Sequence, residues 1–220
     1  MKAESPSEVR IKICGITSRE DAEMAIAFGV DALGFNLFSG SSRCVSLEAE
    51  GRWMRELPPF VTRVAVLVNA PLAEARAVAE HPAIDLVQFH GDEDSRYGAE
   101  FAQSGRPFIK ALRLRDRSVF EQARQFSTNH LLLDSYKSGA YGGTGRMIDG
   151  ELAAEFVRKH PELRVILGGG LTPENVAHLI DTVRPFAVDV ATGVEIAPGR
   201  KGRDLVEAFI GNARAATVRP

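Results

Sequence analysis

The chain has 220 residues, 45% of them hydrophobic and 25% charged, with a formal net charge of −2. That length fits one barrel domain, or one large or two small domains of another kind, and buries a sizeable core. The charge balance argues against a nucleic-acid or membrane-surface partner, either of which needs a basic field.

Residues 1–8 read as a polar tail without an apolar leader, and no stretch approaches the roughly 20 apolar residues of a membrane span. The first apolar run, 10–14, ends in Cys14. A helical pattern follows over 18–28, with Ala22, Ala25 and Ile26 on one face and Gly29 as a stop. Further short runs lie at 32–37, 63–68, 86–90, 108–112, 130–134, 164–167 and 186–190. Each is mostly β-branched or aliphatic, as strands buried on both faces are. Between them come helical stretches. The pattern over 47–57 carries Trp53 and Met54 before Pro58, and those over 149–160 and 204–215 each open on an aspartate. The one over 172–180 opens on Thr172-Pro173-Glu174-Asn175, a cap residue, a first-turn proline and an early acid.

Eight strand candidates thus alternate with eight helix candidates, which implies a parallel sheet with crossover helices. The expected fold is a single α/β domain over 1–220, a (β/α)₈ TIM barrel at the lower end of its usual length. A doubly wound open sheet is the rival. It would place a glycine fingerprint after the first strand, where this chain has Cys14-Gly15-Ile16-Thr17 and keeps its glycine density late. Two cysteines, Cys14 and Cys44, make no disulfide framework and point to a reducing, cytoplasmic setting.

Active residues of such a barrel lie just after the strands. Gly168-Gly169-Gly170 follows the seventh run and Ala191-Thr192-Gly193 the eighth, where barrels bind phosphate with backbone N–H groups. Turn glycines alone would explain one such loop, but not two at these strands. Cys14 is either a small buried hydrophobe or a reactive thiol at the mouth. Asp134 follows Leu131-Leu132-Leu133 directly, a poor place for a purely structural acid and a good one for proton transfer, although it could also cap a turn. The loop after it, 135–146, holds Gly142 and Gly143 and has the length of a binding loop. Arg43, after the second run, is either a carboxylate clamp or a solvated arginine. Gln88 and His90 close the fourth run and Asp189 the eighth, and all three suit supporting hydrogen bonds better than chemistry. The other histidines, His81, His130, His160 and His178, show no ligand spacing, so no metal site is expected.

Taken together, KICGIT at 12–17, GFNLFSGSSRCV at 34–45, VQFHGDE at 87–93, LLLDSYKSGAYGGTGR at 131–146, GGLTPENV at 169–176 and RPFAVDVATGVEIAPG at 184–199 resemble the phosphoribosylanthranilate isomerase family, in order and over nearly the whole chain. The resemblance implies the same barrel and an Amadori rearrangement of N-(5-phosphoribosyl)anthranilate in tryptophan biosynthesis. It implies Cys14 as general base, Asp134 as general acid and Arg43 on the anthranilate carboxylate. It puts the phosphate on the Gly169-Gly170 and Thr192-Gly193 loops. It requires no metal or organic cofactor, because the iminium intermediate is its own electron sink. The partner implied is a small phosphorylated substrate, with a monomer or homodimer as the assembly. The chain departs from the family pattern over 38–42, where a Tyr-Pro-Lys run is frequent, at Gly168 (often Ser or Ala), at Ala191 (commonly serine) and at Gly202 (often acidic). Two other readings stay open on the residues alone. One is a different sugar-phosphate barrel sharing the late phosphate loops; the other is a barrel that only binds a metabolite or partner.

Overall fold

The computed structural model describes residues 8–135 and 147–217. Eight parallel strands close into a barrel in chain order: β1 (Arg10–Cys14), β2 (Ala32–Asn36), β3 (Thr62–Leu67), β4 (Leu86–Phe89), β5 (Phe108–Leu114), β6 (His130–Ser135), β7 (Arg164–Leu167) and β8 (Ala187–Val190). β8 pairs back onto β1, with Lys12 level with Asp189 and Ile13 with Val190. The expected strands are all present, their ends shifted by at most two residues. Among the described residues no helix is long and apolar enough to cross a membrane.

The helices between the strands are α1 (Arg19–Ala27), α2 (Leu47–Arg55), α3 (Leu72–Glu80), α4 (Ser95–Ala102), α5 (Ser118–Ala123), α6 (Gly150–Lys159), α7 (Val176–Val183) and α8 (Arg203–Thr217). The starts of α1, α4 and α6 are set by short polar side chains that satisfy free N–H groups. Ser18 accepts from the N–H of Asp21, Asp94 from that of Tyr97 and Asp149 from that of Leu152. α7 departs from expectation, beginning at Val176 rather than Thr172. Asn175 folds the TPEN segment into a turn instead: its Oδ1 accepts from the N–H of Thr172 at 2.8 Å and its Nδ2 donates to the Gly170 carbonyl at 3.0 Å. The helix then runs on to Val183 because Leu179, Ile180 and Val183 are buried, and it stops at Arg184 in a left-handed conformation. A second departure follows β8. A 3₁₀ turn, Thr192–Val194, leads into a small antiparallel hairpin, β9 (Glu195–Ala197) with β10 (Arg200–Lys201).

The period of two along each strand sorts the residues into two cores. Ile11, Ile13, Leu33, Phe35, Leu131, Leu133, Val188 and Val190 face the helices within one large apolar cluster. Ala65, Leu67, Val87, Phe89 and Phe108 face α3 and α4. The alternate residues fill the barrel. Low in the interior these are apolar: Val64, Ile109, Ala111, Leu132, Ile166 and Ala187. One layer higher they are polar and still buried, with Lys12 and Gln88 at 3% and 0% exposure and Asp134 and Asp189 at 7% and 9%. Buried polar groups are costly unless paired, so this upper layer marks where the fold gives up stability for chemistry.

Candidate active site

The polar layer opens into a cavity of about 280 Å³ at the C-terminal ends of the strands. Cys14, Arg43, His90, Asp134, Gly169, Gly170, Asp189, Ala191, Thr192 and Gly193 all line it. Gln88 is fully buried. Gly142 and Gly143 lie outside the described residues.

Asp134 is held from two sides. Its Oδ1 accepts the N–H of Ser135 at 2.7 Å, and its Oδ2 lies 3.0 Å from Nε2 of His90. His90 Nδ1 is in turn 2.8 Å from Nε2 of Gln88. The amide oxygen of Gln88 has no partner among the described residues. A fixed chain of Gln88, His90 and Asp134 therefore runs up the barrel wall and ends on a carboxyl in the cavity.

Cys14 and Lys12 are two residues apart on β1, so both side chains point into the barrel. They share the space left by a missing side chain. A Cβ at Gly34 would stand 2.8 Å from Sγ of Cys14 and 3.0 Å from Nζ of Lys12. Lys12 donates to Asp189 at 2.8 Å, an ion pair with both partners at least nine-tenths buried. Burial pushes the Cys14 thiol above its ordinary value of 9.0; Lys12 opposes the rise, Asp189 adds to it, and Lys201 opposes it. Burial also works against charge on Lys12, but Asp189 and then Cys14 outweigh it and leave the ammonium favoured.

Arg43 is no solvated arginine. Its side chain is 15% exposed and makes a bidentate pair with Glu195, Nε to Oε1 at 2.7 Å and Nη2 to Oε2 at 2.6 Å. Lys201 donates to Glu195 Oε1 at 2.9 Å, to the carbonyl of Cys14 at 2.6 Å and to that of Ala191 at 3.1 Å.

On the far wall the two glycine loops touch. A Cβ at Gly193 would fall 1.9 Å from the carbonyl oxygen of Leu171, so no larger residue permits this approach. Gly169 and Gly170 take φ of 82° and 72°, which turns the chain sharply above β7. The N–H groups of Gly170 and Gly193 donate to no acceptor among the described residues.

A family model described as N-(5'-phosphoribosyl)anthranilate isomerase matches residues 11–212. The chain belongs to this family. An N-(5'-phosphoribosyl)anthranilate isomerase of Thiobacillus denitrificans is 45% identical over 94% of this chain and 99% of its own. That of Trichlorobacter lovleyi is 43% identical over the same shares. Among solved structures, the phosphoribosyl anthranilate isomerase of Thermotoga maritima is 39% identical, with a TM-score of 0.84 over 94% of this chain and 99% of its own. A further phosphoribosyl anthranilate isomerase, in complex with reduced 1-(o-carboxyphenylamino)-1-deoxyribulose 5-phosphate, is 38% identical with a TM-score of 0.80 over the same shares.

Three buried residues of the enzyme's site had not been anticipated: Lys12, Glu195 and Lys201. Lys12 had a usable signal, since it shares a strand face with Cys14. Glu195 and Lys201 had none, because the hairpin that brings them together gives no periodic pattern in so few residues.

Proposed function

We propose that Cys14, Asp134 and Arg43, with the loops 168–172 and 191–194, carry the reaction of this family. The reaction is an Amadori rearrangement, N-(5-phosphoribosyl)anthranilate to 1-(2-carboxyphenylamino)-1-deoxyribulose 5-phosphate, in tryptophan biosynthesis. One observation carries the assignment: an acid, a thiol, an arginine and two glycine loops from separate strands line a single cavity.

Asp134 acts first, giving its proton to the furanose oxygen as the C1′–O bond breaks. The lone pair of the anthranilate nitrogen forms the iminium. The carboxylate that remains accepts from His90 Nε2, while His90 Nδ1 accepts from the amide N–H of Gln88. The iminium acidifies the C2′ proton, and the Cys14 thiolate removes it. The electron pair of that C–H bond moves to the C1′–C2′ bond, giving an enolamine. Proton gain at C1′ and loss from O2′ yields the ketone, so atoms and electrons balance without an oxidant or reductant. Arg43 holds the aromatic carboxylate and the glycine loops hold the phosphate. Anchoring both ends keeps the reacting carbons between base and acid, where such positioning lowers the barrier.

Purified Cys14→Ala and Asp134→Asn enzymes are expected to fold and to lose at least about a hundredfold in kcat, the usual weight of a lost acid or base. Near-normal turnover by either would remove its assigned role. Expression in a tryptophan auxotroph lacking the isomerase tests the reaction itself, with failure of rescue by folded protein as the contrary result.

A further inference from the structure

We propose that Glu195 is a positioning residue that aims Arg43 at the substrate carboxylate and so sets the preference for carboxylated arylamines. This rests on the reading of Arg43 as the carboxylate clamp.

A guanidinium has two edges that can each grip a carboxylate bidentately. Glu195 occupies the Nε/Nη2 edge of Arg43. The Nη1/Nη2 edge is left for a ligand, and Arg43 lines the cavity whereas Glu195 does not. Glu195 therefore stands behind the arginine, away from where the substrate binds. Its side chain is only 3% exposed and is itself fixed, by Lys201 Nζ at 2.9 Å and by the N–H of Gly199 at 3.3 Å. The hairpin bearing these residues is tied to the first loop by Thr17, whose hydroxyl donates to the Gly199 carbonyl at 2.5 Å. Lys201 extends the same unit to the carbonyls of Cys14 and Ala191, next to the base and the phosphate loop.

Charge and entropy both favour positioning over competition. Two cations share one carboxylate, so a net single positive charge remains for an incoming anion. An untethered arginine would lose rotamer freedom on clamping a ligand, and Glu195 removes that loss beforehand.

The test compares N-(5-phosphoribosyl)anthranilate with N-(5-phosphoribosyl)aniline, which lacks only the carboxylate. The readout is the ratio of their kcat/KM values in wild type, Arg43→Ala, Glu195→Gln and the double variant. Glu195→Gln is expected to lower the ratio by about tenfold or more, through KM of the carboxylated substrate, with kcat within about threefold and the aniline substrate little changed. The double variant should be no worse than Arg43→Ala alone. Should Glu195→Gln fold poorly, Glu195→Asp keeps the charge, withdraws it by one methylene and should lower the ratio less. Equal losses on both substrates would show a general structural role and overturn the proposal. A rise in the ratio would show that Glu195 competes with substrate and would also overturn it. An unchanged ratio in Arg43→Ala would fail the clamp reading itself, and the proposal with it.

Discussion

Replacing Lys12 by methionine removes an ammonium beside the Cys14 sulfur while keeping most of the side-chain volume. The thiol is already held above its ordinary value of 9.0 by burial, and Lys12 is the strongest influence opposing that rise. In the proposed mechanism the thiolate is the working form. Because its pKa is raised, the wild-type enzyme's kcat/KM should still be climbing with pH through the neutral range, lost as pH falls and gained as pH rises toward the thiol pKa. A facing cation typically lowers an acid's pKa by about 1–3 units. In the variant Lys201 still opposes the rise, which keeps the expected shift near the low end, about one unit. At a fixed pH below the limb this is about tenfold in kcat/KM. The same shift should appear without substrate, as the pH dependence of iodoacetamide alkylation of Cys14 in a Cys44→Ala background; Cys44 is the other thiol and is exposed. A limb that stays in place or moves down, in both the kinetic and the alkylation profiles, would refute the role given to Lys12.

Three further outcomes follow from named contacts. Gly193→Ala puts a methyl 1.9 Å from the Leu171 carbonyl oxygen and must part the two glycine loops; if these hold the phosphate, KM for substrate and the inhibition constant of inorganic phosphate should both rise, by about tenfold or more. Gln88→Leu removes the hydrogen bond to His90 Nδ1, and kcat should fall roughly fivefold with KM nearly unchanged, the weight of one ordinary hydrogen bond. Lys110→Met strands the Glu93 carboxylate, which pairs with Lys110 at 2.7 Å with both side chains at most 3% exposed; urea unfolding should report a loss of about 3 kcal/mol or more.

The barrel was legible because each of its strands is a short run between helical patterns, and burial on both faces leaves little room for ambiguity. Cys14, Asp134 and the glycine loops were legible for a related reason: a barrel puts its chemistry at strand ends, so position in the run already carries meaning. α7 was misplaced at its start because Thr172-Pro173-Glu174-Asn175 satisfies the local rules for a helix start, while the hydrogen bonds of Asn175 to Thr172 and Gly170 favour a turn. Arg43 was ambiguous because its partner lies 152 residues away. Lys12 was readable in hindsight from the alternation on β1, but a lysine inside a strand is ordinarily taken for an edge or surface residue until closure of the barrel fixes which face is inside.

The buried charges explain why the two ends of the substrate differ in how they can be recognised from sequence. Lys12 cancels Asp189, Lys110 cancels Glu93, and Glu195 is shared by Arg43 and Lys201. The net single positive charge of that last group matches one carboxylate. In the proposed binding mode a phosphate at the opposite wall meets no such side chain among the described residues, of which Arg43 is the only lysine or arginine that lines the cavity. The anchor proposed there is a set of oriented N–H groups, a role for which glycine spacing is the sequence code. The proposed phosphate anchor is therefore written locally, in two short loops. The proposed carboxylate anchor is written in three residues from two distant segments, and its strength would depend on their charges more than on the shape of any one loop.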